Sequence, residues 1–202
     1  MIRRYKENEV EQLADILKDD GVISVPTDTV YGICAKINSE KAHNKLMEVK
    51  KRPPNKAFPI MCADERQIKS IAVVDARAEK LIRAFMPGPI TIILSKKNQL
   101  PDCVTNGKNT IAVRMATSKV LEELIKKVGC PLFMTSANKS GEAECNTLDD
   151  IEKMCPLLDG MLDGDIVFGR SSTIVDCSSD EIRVLRTGPI SIEQIMKIID
   201  MK

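Results

Sequence analysis

The chain has 202 residues, 43% of them hydrophobic and 29% charged, with 30 lysines and arginines against 29 aspartates and glutamates for a net charge of +1. That balance excludes intrinsic disorder and any global attraction to polyanions, so a basic surface has to be local. No apolar run reaches the ~20 residues of a spanning helix, and MIRRYKENEVEQ lacks a signal-peptide core, so the expectation is a single domain over 1–202 in the cytoplasm.

Val10, Leu13, Ala14 and Leu17 recur at the spacing of one helix face and predict a helix over 10–17, closed by Gly21. A strand over 22–25 follows, then Pro26 and Thr27-Asp28-Thr29, a turn whose hydroxyls serve either their own backbone or a ligand. Residues 30–35 read as a second strand. The helix over 41–51 carries Ala42, Leu46 and Val49 on one face and stops before Pro53-Pro54, because proline disfavours helical geometry in the preceding residue. Lys50 and Arg52 therefore sit at its end, where the helix dipole favours cations whether or not they meet a ligand.

A strand over 59–62, helices over 65–71 and 76–85, and the breaker Met86-Pro87-Gly88-Pro89 come next. The β-branched run 90–94 is a buried strand, and 110–114 is another that ends in Arg114, either a rim residue or a group aimed into a site. After a helix over 118–128, stopped by Gly129, a strand from Pro131 runs into Ser136-Ala-Asn138, whose donors suit phosphate or a plain loop. Thr147 with Asp150 opens a helix to Cys155, and Ser191 with Gln194 opens the last helix. Between them 165–168, 173–177 and 182–186 read as three late strands, too close together for helical crossovers. The fold class is therefore α/β with a mixed sheet.

Several chemistries are missing. There is no G-x-G-x-x-G and no G-x-S-x-G elbow, and the one histidine, His43, leaves little imidazole chemistry. Seven dispersed cysteines with no C-x-x-C argue against zinc and against a disulfide framework, and are expected as free thiols, mainly buried. Gly164 to Ser171 imitates a phosphate loop but has Arg170 for the lysine and an apolar Ile-Val-Phe centre, so it is rejected as one.

Six blocks in order, TDTVYG (27–32), KKRPPNKAF (50–58), TIAVRM (110–115), TSANKSG (135–141), SSTIVD (171–176) and VLRTGP (184–189), resemble the YrdC/Sua5 family of threonylcarbamoyl-adenylate synthases. The resemblance runs from about Gly21 to Ile190 and matches the short form without an added C-terminal domain. It implies a twisted open sheet with flanking helices and a deep concave site taking ATP, L-threonine and bicarbonate or CO2. By position it implies Lys50 and Arg52 as the catalytic cations, with Lys56, Thr110, Ser136, Asn138 and Arg186 completing the ATP side. Thr29, Arg114 and Ser172 are implied as the threonine side, with Tyr31 and Thr173 close by. Some members have a histidine where this chain has Met61, and Asn138 sets the chain apart from a subgroup lacking it.

The implied reaction forms a carbamate from threonine's amine and CO2; its oxygen attacks the α-phosphorus and expels pyrophosphate. An anionic nucleophile needs positioning and cations rather than a protein base, which suits a chain with one histidine. Mg2+ is expected to be held mainly through ATP, with no protein metal site. The product would pass to the proteins that make N6-threonylcarbamoyladenosine in tRNA, with at most weak binding of tRNA or other RNA. Two other readings stand beside this one: an RNA-binding module, poorly served by 3% aromatic residues, and a carbamoyl-adenylate enzyme with another substrate.

Overall fold

A computed structural model describes residues 1–115 and 117–200. One ten-stranded mixed sheet runs through it, built from β1 (Arg4–Tyr5), β2 (Ile23–Val25), β3 (Gly32–Lys36), β4 (Ile60–Cys62), β5 (Ile90–Ser95), β6 (Thr110–Met115), β7 (Leu132–Ser136), β8 (Gly160–Leu162), β9 (Thr173–Asp176) and β10 (Arg183–Arg186). Their spatial order is β1-β8-β2-β3-β7-β4-β6-β5-β9-β10. The helices are α1 (Val10–Lys18), α2 (Glu40–Lys50), α3 (Glu65–Ile71), α4 (Ala76–Phe85), α5 (Asp102–Thr105), α6 (Lys119–Val128), α7 (Leu148–Met154) and α8 (Ile192–Asp200). Side-chain oxygens of Ser39, Asp64, Asp75, Ser118 and Thr147 accept a backbone N–H at the starts of α2, α3, α4, α6 and α7, which satisfies donors the helix leaves orphaned.

Three departures concern short strands. Residues 165–168 form no strand; the segment is a loop, and the strand of that region lies earlier, at β8. β8 exists because β1 and β2 pair with its two sides in parallel, a three-residue run that local pattern does not announce. β1 is likewise made by its partner.

The period of two in the strands decides where the site lies. On one face Val10, Leu13, Ala14 and Leu17 of α1 and Leu121, Leu124 and Ile125 of α6 pack on Ile23, Cys34, Met61, Leu132 and Met134. That cover reaches β4 and no further. On the other face α2, α3, α4, α7 and α8 bury Ile33, Phe133, Ile60, Val113, Ile92 and Val175. The half made of β6, β5 and β9 is therefore covered on one side only. Its other side, carrying Arg114, Ala112, Thr91, Ile93 and Ile174, forms the wall of a cavity of about 360 Å³.

Candidate functional site

Lys50 and Arg52 reach this cavity through the way α2 ends. On a continuing helix, residues two apart point about 200° away from each other. Here Lys51 adopts the left-handed conformation (φ 48°), its N–H donates to Glu48 O at 3.1 Å, and the N–H of Arg52 donates to Met47 O at 3.1 Å. This is the Schellman closure, and it turns the chain so that both flanking cations line one cavity.

Lys50 is buried and holds the polar cluster after β7. Its ammonium donates to Ser136 O at 2.6 Å, to Ser136 Oγ at 3.3 Å and to Asn138 Oδ1. Asn138 Oδ1 also accepts from Ser136 Oγ at 2.8 Å, and Asn138 Nδ2 donates to Glu142 O at 2.6 Å. Every acceptor of the ammonium is neutral. Burial, with the Arg52 charge second, accordingly pushes the Lys50 ammonium down to about 8. Arg52 donates to Lys56 O at 2.9 Å and Ala57 O at 2.6 Å, and its guanidinium lies 4.5 Å over the Phe58 ring. Ser140 Oγ, on the cavity wall, is buried without a hydrogen-bond partner.

Arg114 faces the cavity from the end of β6, and the turn after β2 closes around it. Its Nε donates to Gly88 O at 3.1 Å, one terminal nitrogen donates to Thr29 Oγ1 at 2.8 Å, and the other meets Asp28 Oδ1 at 2.5 Å. Burial lowers the guanidinium's affinity for its proton and Asp28 raises it. The turn is self-supporting: Thr27 Oγ1 donates to Val30 O at 2.6 Å, accepts the N–H groups of Thr29 and Val30, and lies 3.0 Å from Thr29 Oγ1. Across the cavity Ser172 Oγ lies 2.8 Å from Thr91 Oγ1, and Arg186 donates to Ser172 O at 3.0 Å and Ser172 Oγ at 3.3 Å.

The fold thus brings Thr29, Lys50, Arg52, Lys56, Arg114, Ser136, Asn138, Ser172 and Arg186 to one cavity. Thr110 lines an adjoining cavity of about 240 Å³ that shares Arg52, Lys56, Pro59, Ile93 and Ala112 with the first. Tyr31 and Thr173 lie outside the lining of both. Tyr31 OH donates to Gly164 O at 2.5 Å and so ties down the loop after β8. Thr173 Oγ1 donates to Ile190 O and accepts the N–H groups of Gly188 and Ile190, latching the return after β10 where a Cβ on Gly188 would stand 2.4 Å from Ser171 O.

Asp28, Thr91 and Ser140 were not among the sequence candidates. Thr91 had a signal, a hydroxyl alternating with Ile90 and Ile92 and so facing away from the core. Asp28 stood in the Thr27–Thr29 turn but without a role of its own, because its partner stands 86 positions away. The imidazole of His43 packs against Phe58 and Phe133, away from the cavity lining. Among the described residues no group of three His, Cys, Asp or Glu could hold a metal ion, and no helix is long and apolar enough to cross a membrane.

The Sua5/YciO/YrdC family model, described as telomere recombination, matches residues 15–188. A protein of Methanocaldococcus jannaschii named putative threonylcarbamoyl-AMP synthase is 35% identical, over 98% of this chain and 97% of its own. Pyrococcus abyssi Sua5, solved in complex with L-threonine, superposes with a TM-score of 0.92 at 28% identity, over 99% of this chain and 61% of its own. E. coli YciO shares the fold, with a TM-score of 0.87 at 22% identity, over 96% of this chain and 100% of its own.

Proposed function

The chain belongs to the Sua5/YciO/YrdC family, and from that premise we propose that it makes threonylcarbamoyl-AMP and pyrophosphate from L-threonine, bicarbonate or CO2, and ATP. The observation that carries the reading is one cavity joining an unpaired cation cluster to an arginine held by a hydroxyl and a carboxylate, with no imidazole on its walls. Lys50, Arg52, Lys56 and Arg186 screen the nucleotide's phosphates, with Ser136, Asn138 and Ser140 beside them and Thr110 in the adjoining cavity. Arg114 takes threonine's carboxylate through N–H groups left free by Gly88, Thr29 and Asp28, while Thr29 and Ser172 receive its hydroxyl.

Threonine's neutral amine bonds to the carbon of CO2 and gives up a proton to water, leaving an anionic carbamate. A carbamate oxygen then bonds to the α-phosphorus as the bond from that phosphorus to the β-phosphate oxygen breaks and pyrophosphate leaves. Neither step needs a protein nucleophile, and fixing the reactants in line is what the cavity contributes. Mg2+ would arrive as part of the Mg-ATP substrate, held mainly through the phosphates. In the cytoplasm the adenylate would feed the proteins that form N6-threonylcarbamoyladenosine in tRNA. The test is pyrophosphate release with threonine and bicarbonate omitted in turn. Full dependence on both is expected, and release without threonine would sink the reading.

A further inference from the structure

The five cations of the cavity are of two electrostatic kinds. Lys50, Arg52, Lys56 and Arg186 make no ion pair with a carboxylate among the described residues; Lys50, Arg52 and Arg186 donate to carbonyl, hydroxyl and amide oxygens. Glu144 acts on Lys50 and Arg186 through space only, with its Oε1 occupied by the Ser171 hydroxyl. Arg114 differs: its partner is the carboxylate of Asp28, and both side chains are more than nine-tenths buried.

That pairing is costly for the fold. A buried ion pair recovers its desolvation only when every lone pair is used, and Asp28 Oδ2 is buried with no hydrogen-bond partner. What Asp28 adds is a negative charge held against Arg114, with the guanidinium plane pinned by Gly88 O and Thr29 on its other edges.

We infer that Asp28 is a specificity-determining positioning residue that divides the cavity by charge. It cancels Arg114 so that a polyphosphate is drawn to the unpaired cations, while the neutral Arg114 end is kept for a ligand bearing one carboxylate. The inference takes the identity of the two ligands from the proposed function; the charge division itself rests on the ion pair. A ligand with several negative charges responds to net charge, and the Arg114–Asp28 pair itself has none to offer; Arg186, whose charge reaches Arg114 through space, counts with the unpaired cations. A single carboxylate can still use the directed N–H groups of a fixed guanidinium. A polyphosphate and a ligand with a single carboxylate, sharing one cavity, are thereby sorted before any chemistry.

The test is calorimetric binding with pyrophosphate as the probe. Asp28→Asn keeps the shape and an acceptor for Arg114 but removes the charge. Wild type should bind one pyrophosphate, and saturating pyrophosphate should move its threonine Kd by no more than about twofold, whereas in Asp28→Asn the same addition should weaken threonine by about tenfold or more. Asp28→Glu, which keeps the charge, should behave as wild type. Pyrophosphate competing with threonine in the wild type overturns the inference, as does a folded Asp28→Asn indifferent to pyrophosphate. If Asp28→Asn is not folded by circular dichroism, Asp28→Ser carries the same readout. If wild type does not bind threonine at all, it is the proposed function that fails. The charge division is then read from stoichiometry, one pyrophosphate in wild type and two in Asp28→Asn, and equal numbers overturn it.

Discussion

Lys50 and Arg114 are both buried cations on one cavity, and the fold carries their charges in opposite ways. Lys50 is wrapped in neutral oxygens, which leaves its charge uncompensated and its proton easily lost. Arg114 has a carboxylate at 2.5 Å. The difference teaches that burial alone does not define a binding group. An uncompensated cation is stabilised when an anion arrives, whereas a compensated one has only geometry to offer.

The sharpest way to break the comparison is to remove the uncompensated end. Arg52→Ala should lower pyrophosphate release by about 10²- to 10³-fold, the scale of losing one aimed donor at a developing charge. Arg52 also holds the Lys56 and Ala57 carbonyls and lies over Phe58, so a loss of about 1 kcal/mol, or ~2–4 °C in Tm, should accompany it. A variant that keeps most of its turnover would show that the phosphates lie elsewhere.

At the compensated end, Arg114→Lys keeps the charge but loses the planar fork. The KM for threonine should rise by about 10- to 100-fold, or ~1.4–2.8 kcal/mol, with the KM for ATP little changed. Equal rises in both would mean that the two ends are not separate.

The Lys50 ammonium supplies a smaller effect with a definite sign. Its folded value of about 8 lies below the 10.5 of the free side chain, so between these the unfolded chain holds more protons and stability rises with pH. Phosphate favours the protonated form, so the Kd for ATP should be flat on the acid side and weaken as pH rises through about 8, towards about tenfold per further pH unit. Titrations across that range check it, and Lys50→Arg should abolish the dependence. The smallest effect tests the turn that aims both cations. Lys51→Gly should raise stability by up to ~1 kcal/mol in a chemical melt with turnover unchanged, because glycine adopts φ 48° without steric cost.

Much of this architecture is legible in the sequence. The 3.6-residue stripe of Val10, Leu13, Ala14 and Leu17 and the alternation of Ile90, Ile92 and Leu94 with Thr91 and Ile93 are local. Local periodicity decides which face of an element is apolar, so helix α1 and the strand β5 follow from sequence alone, while the cavity-facing side of β5 does not. The blocks around Lys50, Arg114, Ser136 and Asn138 likewise marked residues that do meet in one cavity. Long-range partners decided the rest. β8 is a strand because β1 and β2 flank it, while the equally apolar residues 166–168 have no such neighbours and stay a loop. Tyr31 and Thr173 became fastenings of the chain because Gly164 O and the Gly188–Ile190 backbone came within hydrogen-bond reach. Asp28 acquired its meaning from an arginine 86 residues away. A side chain's periodicity is written in its neighbours along the chain, but its hydrogen-bond and charge partners are chosen only when distant strands come into register.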